Sequence, residues 1–226
     1  MSMIRQKIRR INNYPWVTYL LLFVMIVIYL LMTVSGGSEN VFNLLKFGAQ
    51  SNQLVRDGQW WRLITPIFVH IGFQHILING ITLYYLGKLI EPIVGHLRYF
   101  IIFMVSGVCG NLMSFALGNG ISAGSSTAIF GLFGAFLMIA FQYRGNDFVR
   151  STAKTFVLFV VINLVFDIFT PGIDIYGHIG GFIGGYLVSF VVGLRQNINL
   201  NKIMRLFYAT ALIIGIIIMY YLGSVR

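Results

Sequence analysis

One cysteine and six acidic side chains are all that this 226-residue chain has of either kind, and charged residues of both signs make up only 10% of it. The lone Cys109 can close no intrachain disulfide and completes no metal-binding cysteine set, so in its apolar stretch it reads as packing. Internal repeats, low-complexity segments and a separate soluble domain are also missing from the sequence. So little charge, set against 58% hydrophobic residues and a mean hydropathy of +0.83, excludes a soluble globular protein. What remains is an all-α polytopic membrane protein.

Apolar runs long enough to cross a bilayer at about 1.5 Å per residue are expected near 16–35, 74–94, 97–117, 125–142, 153–170, 174–194 and 203–222. The first follows a basic start, Met1 to Arg10, but it is too long for a secretory signal and no A-x-A-like site follows. It is therefore read as a span. Arg5, Lys7, Arg9, Arg10, Lys88, Arg98, Arg144, Arg150, Lys154, Arg195, Lys202 and Arg205 fall in alternate loops, twelve against Lys46, Arg56, Arg62 and Arg226 on the other side. This bias puts the N-terminus in the cytoplasm and the C-terminus outside. It also accounts for the net charge of +10 without nucleic acid as a partner. The longest connection, about 36–73, carries Trp60, Trp61 and Arg62, residues suited to a membrane interface, and is expected to fold against the outer leaflet.

Polar side chains inside apolar spans are costly and mark candidate sites. Spans two, four and six all run from outside to inside, and each has polar residues near its outer end: His70, His75 and Asn79; Ser125 and Ser126; Asp174 and His178. His75 and Asn79, four apart, share a helix face. Together the set offers a hydroxyl nucleophile, an imidazole base, and an amide and second imidazole able to donate to an oxyanion. Gly180/Gly184 and Gly181/Gly185 in span six, with Gly131 and Gly134 in span four, allow the close helix approach that a Ser–His hydrogen bond needs. Each residue alone has a plainer reading, a serine bonded to its own backbone or a histidine joining two helices; convergence of four at one depth favours chemistry. Asn111, Asn163, Asp167 and His96 are assigned to packing or the cytoplasmic interface. Adjacent helical residues point about 100° apart, so only one hydroxyl of the serine pair can face the base. Ser126 shares its stripe with Phe130, Phe133 and Leu137, whereas Ser125 aligns with Ile129 and Leu132.

Four blocks of sequence then resemble the rhomboid family of intramembrane serine proteases. They are Trp61-Arg62 with Phe68-x-His70-x4-His75-x3-Asn79; Glu91-x3-Gly95; Gly124-Ser125-Ser126-Thr127-Ala128-Ile129-Phe130-Gly131; and Gly177-His178-Ile179-Gly180-Gly181. The resemblance, to the bacterial type, implies a six-helix core over 16–194 after a cytoplasmic basic segment 1–15, with an additional transmembrane helix over 203–222. It implies Ser126 as nucleophile and His178 as base in a dyad, with Asn79, His75 and the Ser126 N–H as the oxyanion site. Supporting roles fall to Phe130 against the histidine ring and to Gly124, Gly181, His70, Trp61 and Arg62. It implies no cofactor and no metal, a plasma-membrane location, and as partners the lipid bilayer and membrane proteins cut within a transmembrane segment near the outer leaflet. Thr127 stands where the family usually has glycine, and a β-branched residue there is expected to crowd the oxyanion site.

Other functions fit less well. No H-E-x-x-H is present for zinc, and neither Asp167 nor Asp174 has the Gly-x-Gly-Asp surroundings of a presenilin-like site. A transporter would be expected to show repeated halves and a site at the midplane. A non-catalytic binder of membrane clients is the remaining alternative. Asp174, four residues before His178, is expected to be solvated rather than to form a triad.

Overall fold

A computed structural model describes residues 14–195 and 200–226, so Arg5, Lys7, Arg9 and Arg10 of the basic start lie outside the described residues. Seven helices of 17 or more residues fall where the seven spans are expected: α1 (Trp16–Val34), α4 (Gly72–Val94), α5 (His96–Leu117), α6 (Ser126–Gln142), α7 (Asp147–Phe169), α8 (Ile175–Val192) and α9 (Lys202–Val225). Five of these are long and apolar enough to cross a membrane by length and composition. The other two are α6, which is shorter, and α4, which carries His75, Asn79, Lys88 and Glu91. Span five begins earlier than hydropathy suggests, because Asn146 caps α7 by accepting from the Val149 N–H at 3.1 Å and starts the helix at Asp147.

The bundle is built around α6, whose residues from Thr127 to Phe136 are all buried. Helices α5 and α8 pack closely on it, and glycine is the reason. A Cβ on Gly181 would strike the Thr127 backbone, one on Gly185 would strike Gly131, and one on Gly134 would strike the Phe182 carbonyl. On the α5 side a Cβ on Gly180 would meet Met113 and the Cys109 carbonyl, and Cys109 itself packs against Gly184. Outward faces of α1, α7 and α9 expose apolar side chains such as Phe23, Ile162 and Ile217, as a lipid-facing surface does.

At one end of the bundle, Glu91 is fully buried and ties three helices together. Its carboxylate accepts from the Val17 and Thr18 N–H groups (2.9 and 2.8 Å), from Thr18 Oγ1 (2.6 Å) and from His96 Nδ1 (2.6 Å). The first two are unpaired amides of the α1 N-terminus, where negative charge is favoured. Gly95, at φ 90°, makes the tight passage from α4 to α5.

The opposite end carries the long connection. It folds into α2 (Val41–Lys46), α3 (Asn52–Arg56), two 3-10 turns (Trp60–Leu63 and Thr65–Phe68), and a two-residue strand β1 (Gln50–Ser51) paired antiparallel with β2 (Ile121–Ser122). Arg62 is buried beneath it and donates to Gln59 Oε1 (2.7 Å) and to the carbonyls of Leu45 (2.8 Å) and Ala49 (2.7 Å). Asn111 pins the segment to α5 through the Leu63 carbonyl at 3.0 Å, and Trp60 and Trp61 are exposed on its surface. The tail of α9 closes on the same end, where Arg56 Nε donates to the Gly223 carbonyl at 2.9 Å.

Candidate active site

Ser126 is the first residue of α6 and His178 the fourth of α8, so the glycine contact between these helices brings their side chains together. Ser126 Oγ stands 2.9 Å from His178 Nε2. The Phe130 ring, one turn along α6, stacks on the imidazole with centroids 4.1 Å apart and planes 6° apart. Ser126 and His178 both face a cavity of about 440 Å³ walled by α4, α6, α7 and α8.

Across that cavity stand the two residues from α4. Asn79 Nδ2 is buried and has no hydrogen-bond partner among the described residues, an unusual state for an amide and one that fits a donor awaiting an acceptor. His75 Nδ1 lies 3.4 Å from the Ile71 N–H and accepts from it, which leaves Nε2 as the donor. Gly124 (φ 130°) passes so close that a Cβ there would meet the His75 ring at 2.6 Å and Asn79 Nδ2 at 3.5 Å. The glycine therefore lets the segment before Ser126 run alongside His75 and Asn79. Its own N–H is held by the Pro66 carbonyl at 2.9 Å.

Ser125 is occupied elsewhere. Its N–H and hydroxyl both lie near His70 Nε2, at 3.3 and 3.2 Å. Since an N–H can only donate, Nε2 accepts, and the Nδ1–H of His70 donates to the Phe68 carbonyl at 3.3 Å. His70 has no exposed surface, and burial, helped by the nearby His75, pushes its pKa down to about 3. It is thus a neutral brace under the serine loop.

Thr127 does not crowd the site as expected. Its side chain turns away from the cavity into the space left by Gly110 and Gly177. Trp61 and Arg62 lie outside the cavity and shape the connection above it, while Gly181 acts through the α6–α8 approach. Asp174 does not reach the histidine. It caps α8 by accepting from the Gly177 N–H (2.9 Å) and accepts from Ser122 Oγ (2.6 Å).

One residue assigned to packing belongs to the site: Asp167 Oδ2 lies 2.6 Å from His178 Nδ1. One signal in the sequence points to it: span five runs opposite to spans four and six, so its last turn reaches their first turns. In the structure Asp167 lies on the buried stripe of α7 with Ala153 and Val160, spaced seven apart. Asn163, one turn earlier, also lines the cavity while donating to its own helix at the Phe159 carbonyl (2.7 Å). Among the described residues no group of three or more His, Cys, Asp or Glu is placed to hold a metal ion.

A family model described as Rhomboid domain matches residues 57–195. Rhomboid protease GluP of Bacillus subtilis is 38% identical over 185 residues, 82% of this chain and 36% of that protein. YdcA of the same organism is 30% identical over 80% of this chain and 90% of its own length, and RHOMBOID-like protein 5 of Arabidopsis thaliana is 36% identical over 67% and 50%. The chain thus spans about a third of GluP and half of the plant relative. With the family model covering more than half of its residues and relatives 38% and 30% identical over 82% and 80% of its length, the chain belongs to the rhomboid family.

Proposed function

We propose that this chain is an intramembrane serine endopeptidase in which Ser126 is the nucleophile and His178 the general base. The observation that carries this reading is the 2.9 Å Ser126–His178 contact beside a cavity into which an unpartnered Asn79 amide points. As Ser126 Oγ attacks a peptide carbonyl carbon, its proton passes to His178 Nε2 and the carbonyl π pair moves onto oxygen. That oxyanion is held by Asn79 Nδ2, His75 Nε2 and the Ser126 N–H, which as the first amide of α6 has no acceptor within the helix. Collapse breaks the C–N bond, and the leaving nitrogen takes the proton from His178. Water, deprotonated by the same imidazole, then hydrolyses the acyl-enzyme.

The substrate class follows from the surroundings. Cavity-lining Ile78 on α4 and Phe159 and Phe166 on α7 are also exposed on the apolar outer surface, so the cavity borders lipid between these helices. A transmembrane segment whose helix unwinds locally would enter there, and the buried polar site would receive its freed backbone groups. The basic-residue bias supports a site in the outer half of the membrane, and the resemblance to the bacterial type supports a plasma-membrane location, with residues 16–194 as the catalytic core and 203–222 as an added helix.

The test is cleavage of single-span substrates by purified protein, with cut sites mapped by mass spectrometry. Cuts near the outer end of the substrate segment that vanish in Ser126→Ala support the reading; undiminished cleavage by Ser126→Ala sinks it.

A further inference from the structure

We propose that Asp167 is a positioning residue for His178, making the working unit a chain of three groups, Asp167–His178–Ser126, rather than a dyad. The proposal rests on the roles given above to Ser126 and His178. Asp167 Oδ2 lies 2.6 Å from Nδ1, and Nε2 of the same ring lies 2.9 Å from Ser126 Oγ, so the imidazole bridges carboxylate and hydroxyl. The Asp167 side chain is 4% exposed, on the stripe where α7 faces the bundle.

What Asp167 adds is distinct from what Phe130 supplies. The stacked ring fixes the plane of the imidazole but is indifferent to which nitrogen carries the proton. An ionised carboxylate can only accept, so it places the proton on Nδ1 and leaves the Nε2 lone pair for the Ser126 hydroxyl. Once His178 has taken the serine proton, the imidazolium lies against a buried anion, where the attraction is weakly screened. Asp174, the sequence neighbour one turn away, is directed elsewhere, to the Gly177 N–H and Ser122 Oγ, and the Nδ1 contact of His178 is with Asp167.

The experiment compares the parent, Asp167→Asn, Asp167→Glu and Ser126→Ala in proteoliposomes, reading kcat and KM on a single-span substrate, fluorophosphonate labelling rate, and the ¹⁵N signals of the His178 ring. We expect Asp167→Asn to lower kcat by roughly 10²–10⁴ with KM changed less than about threefold. Labelling should slow in parallel, and the single Nδ1–H tautomer of the parent should become a mixture. Asp167→Glu should recover part of the loss. Parent-like kcat in a folded Asp167→Asn overturns the proposal. If that variant does not fold, the parent spectrum decides alone, because a His178 ring protonated on Nε2 and bare at Nδ1 excludes the role. Cleavage retained by Ser126→Ala is a different failure, that of the underlying reading.

Discussion

Phe130 and His178 lie face to face, 4.1 Å between centroids, on helices that touch through glycine. An aromatic pair of this kind contributes about 0.5–1.5 kcal/mol beyond simple burial. Phe130→Leu keeps an apolar filler but removes the flat surface, so kcat should fall roughly 2- to 10-fold while KM is retained. Unchanged turnover would show that the ring is held by its hydrogen bonds alone.

The two serines should separate cleanly. Ser126→Ala is expected to abolish cleavage and fluorophosphonate labelling in a protein that still folds, since Ser126 Oγ is bonded to His178. Ser125→Ala removes one of two bonds to His70 and should keep labelling, with a lower thermal midpoint. Labelling at Ser125 instead would shift the assigned register by one residue.

Asn79→Ala deletes a donor that has no hydrogen-bond partner among the described residues, so under the proposed function its cost should fall on the transition state. A loss of about 10²–10³ in kcat with little change in KM is expected. Weakened binding at full turnover would contradict the oxyanion role. His75→Ala should lower kcat as well, with some loss of stability because the ring packs against His70 at 5.3 Å and against Gly124.

His70 predicts acid sensitivity. Its ordinary pKa of 6.5 is pushed down to about 3 in the fold, so between these values the unfolded chain binds a proton that the folded one refuses. Its contribution is whole above pH 6.5 and is lost progressively as the pH falls towards 3. Thermal midpoints measured from pH 7 to pH 4 should decline, and His70→Gln should flatten that decline. An equal slope in both proteins would assign the acid loss to other groups.

Gly181→Ala places a methyl into the Thr127 backbone, whereas Gly215→Ala, with no atom within 4 Å of the added carbon, meets open space. The first should lower the thermal midpoint sharply and take turnover with it; the second should leave both near the parent. Comparable behaviour of the two would argue that α6 and α8 are not held at glycine distance.

The seven helices could be read from hydropathy, and Ser126, His178, His75 and Asn79 from one rule: polar residues at like ends of spans that run in the same direction. That rule also explains the omission of Asp167. The rule looks at the starts of even-numbered spans, while the outer end of the antiparallel span five is its last turn, where Asp167 sits. The extended pairing of Gln50–Ser51 with Ile121–Ser122 left no trace because two residues carry no periodicity. The charge of Arg62 suggests an interface, but its place as a buried tie for two carbonyls depends on loop geometry that spacing does not encode.

Because Gly181 and Gly185 rest on the main chain of α6, the separation of nucleophile and base is a backbone dimension, independent of any rotamer in the wall between them. Lipid of different thickness can tilt the exposed α1, α7 or α9 against the bundle, yet it has no compressible side-chain layer through which to change the serine-to-imidazole distance. Bilayer thickness should therefore tune how substrates enter beside α7 while leaving the rate of Ser126 acylation by a small soluble reagent nearly constant.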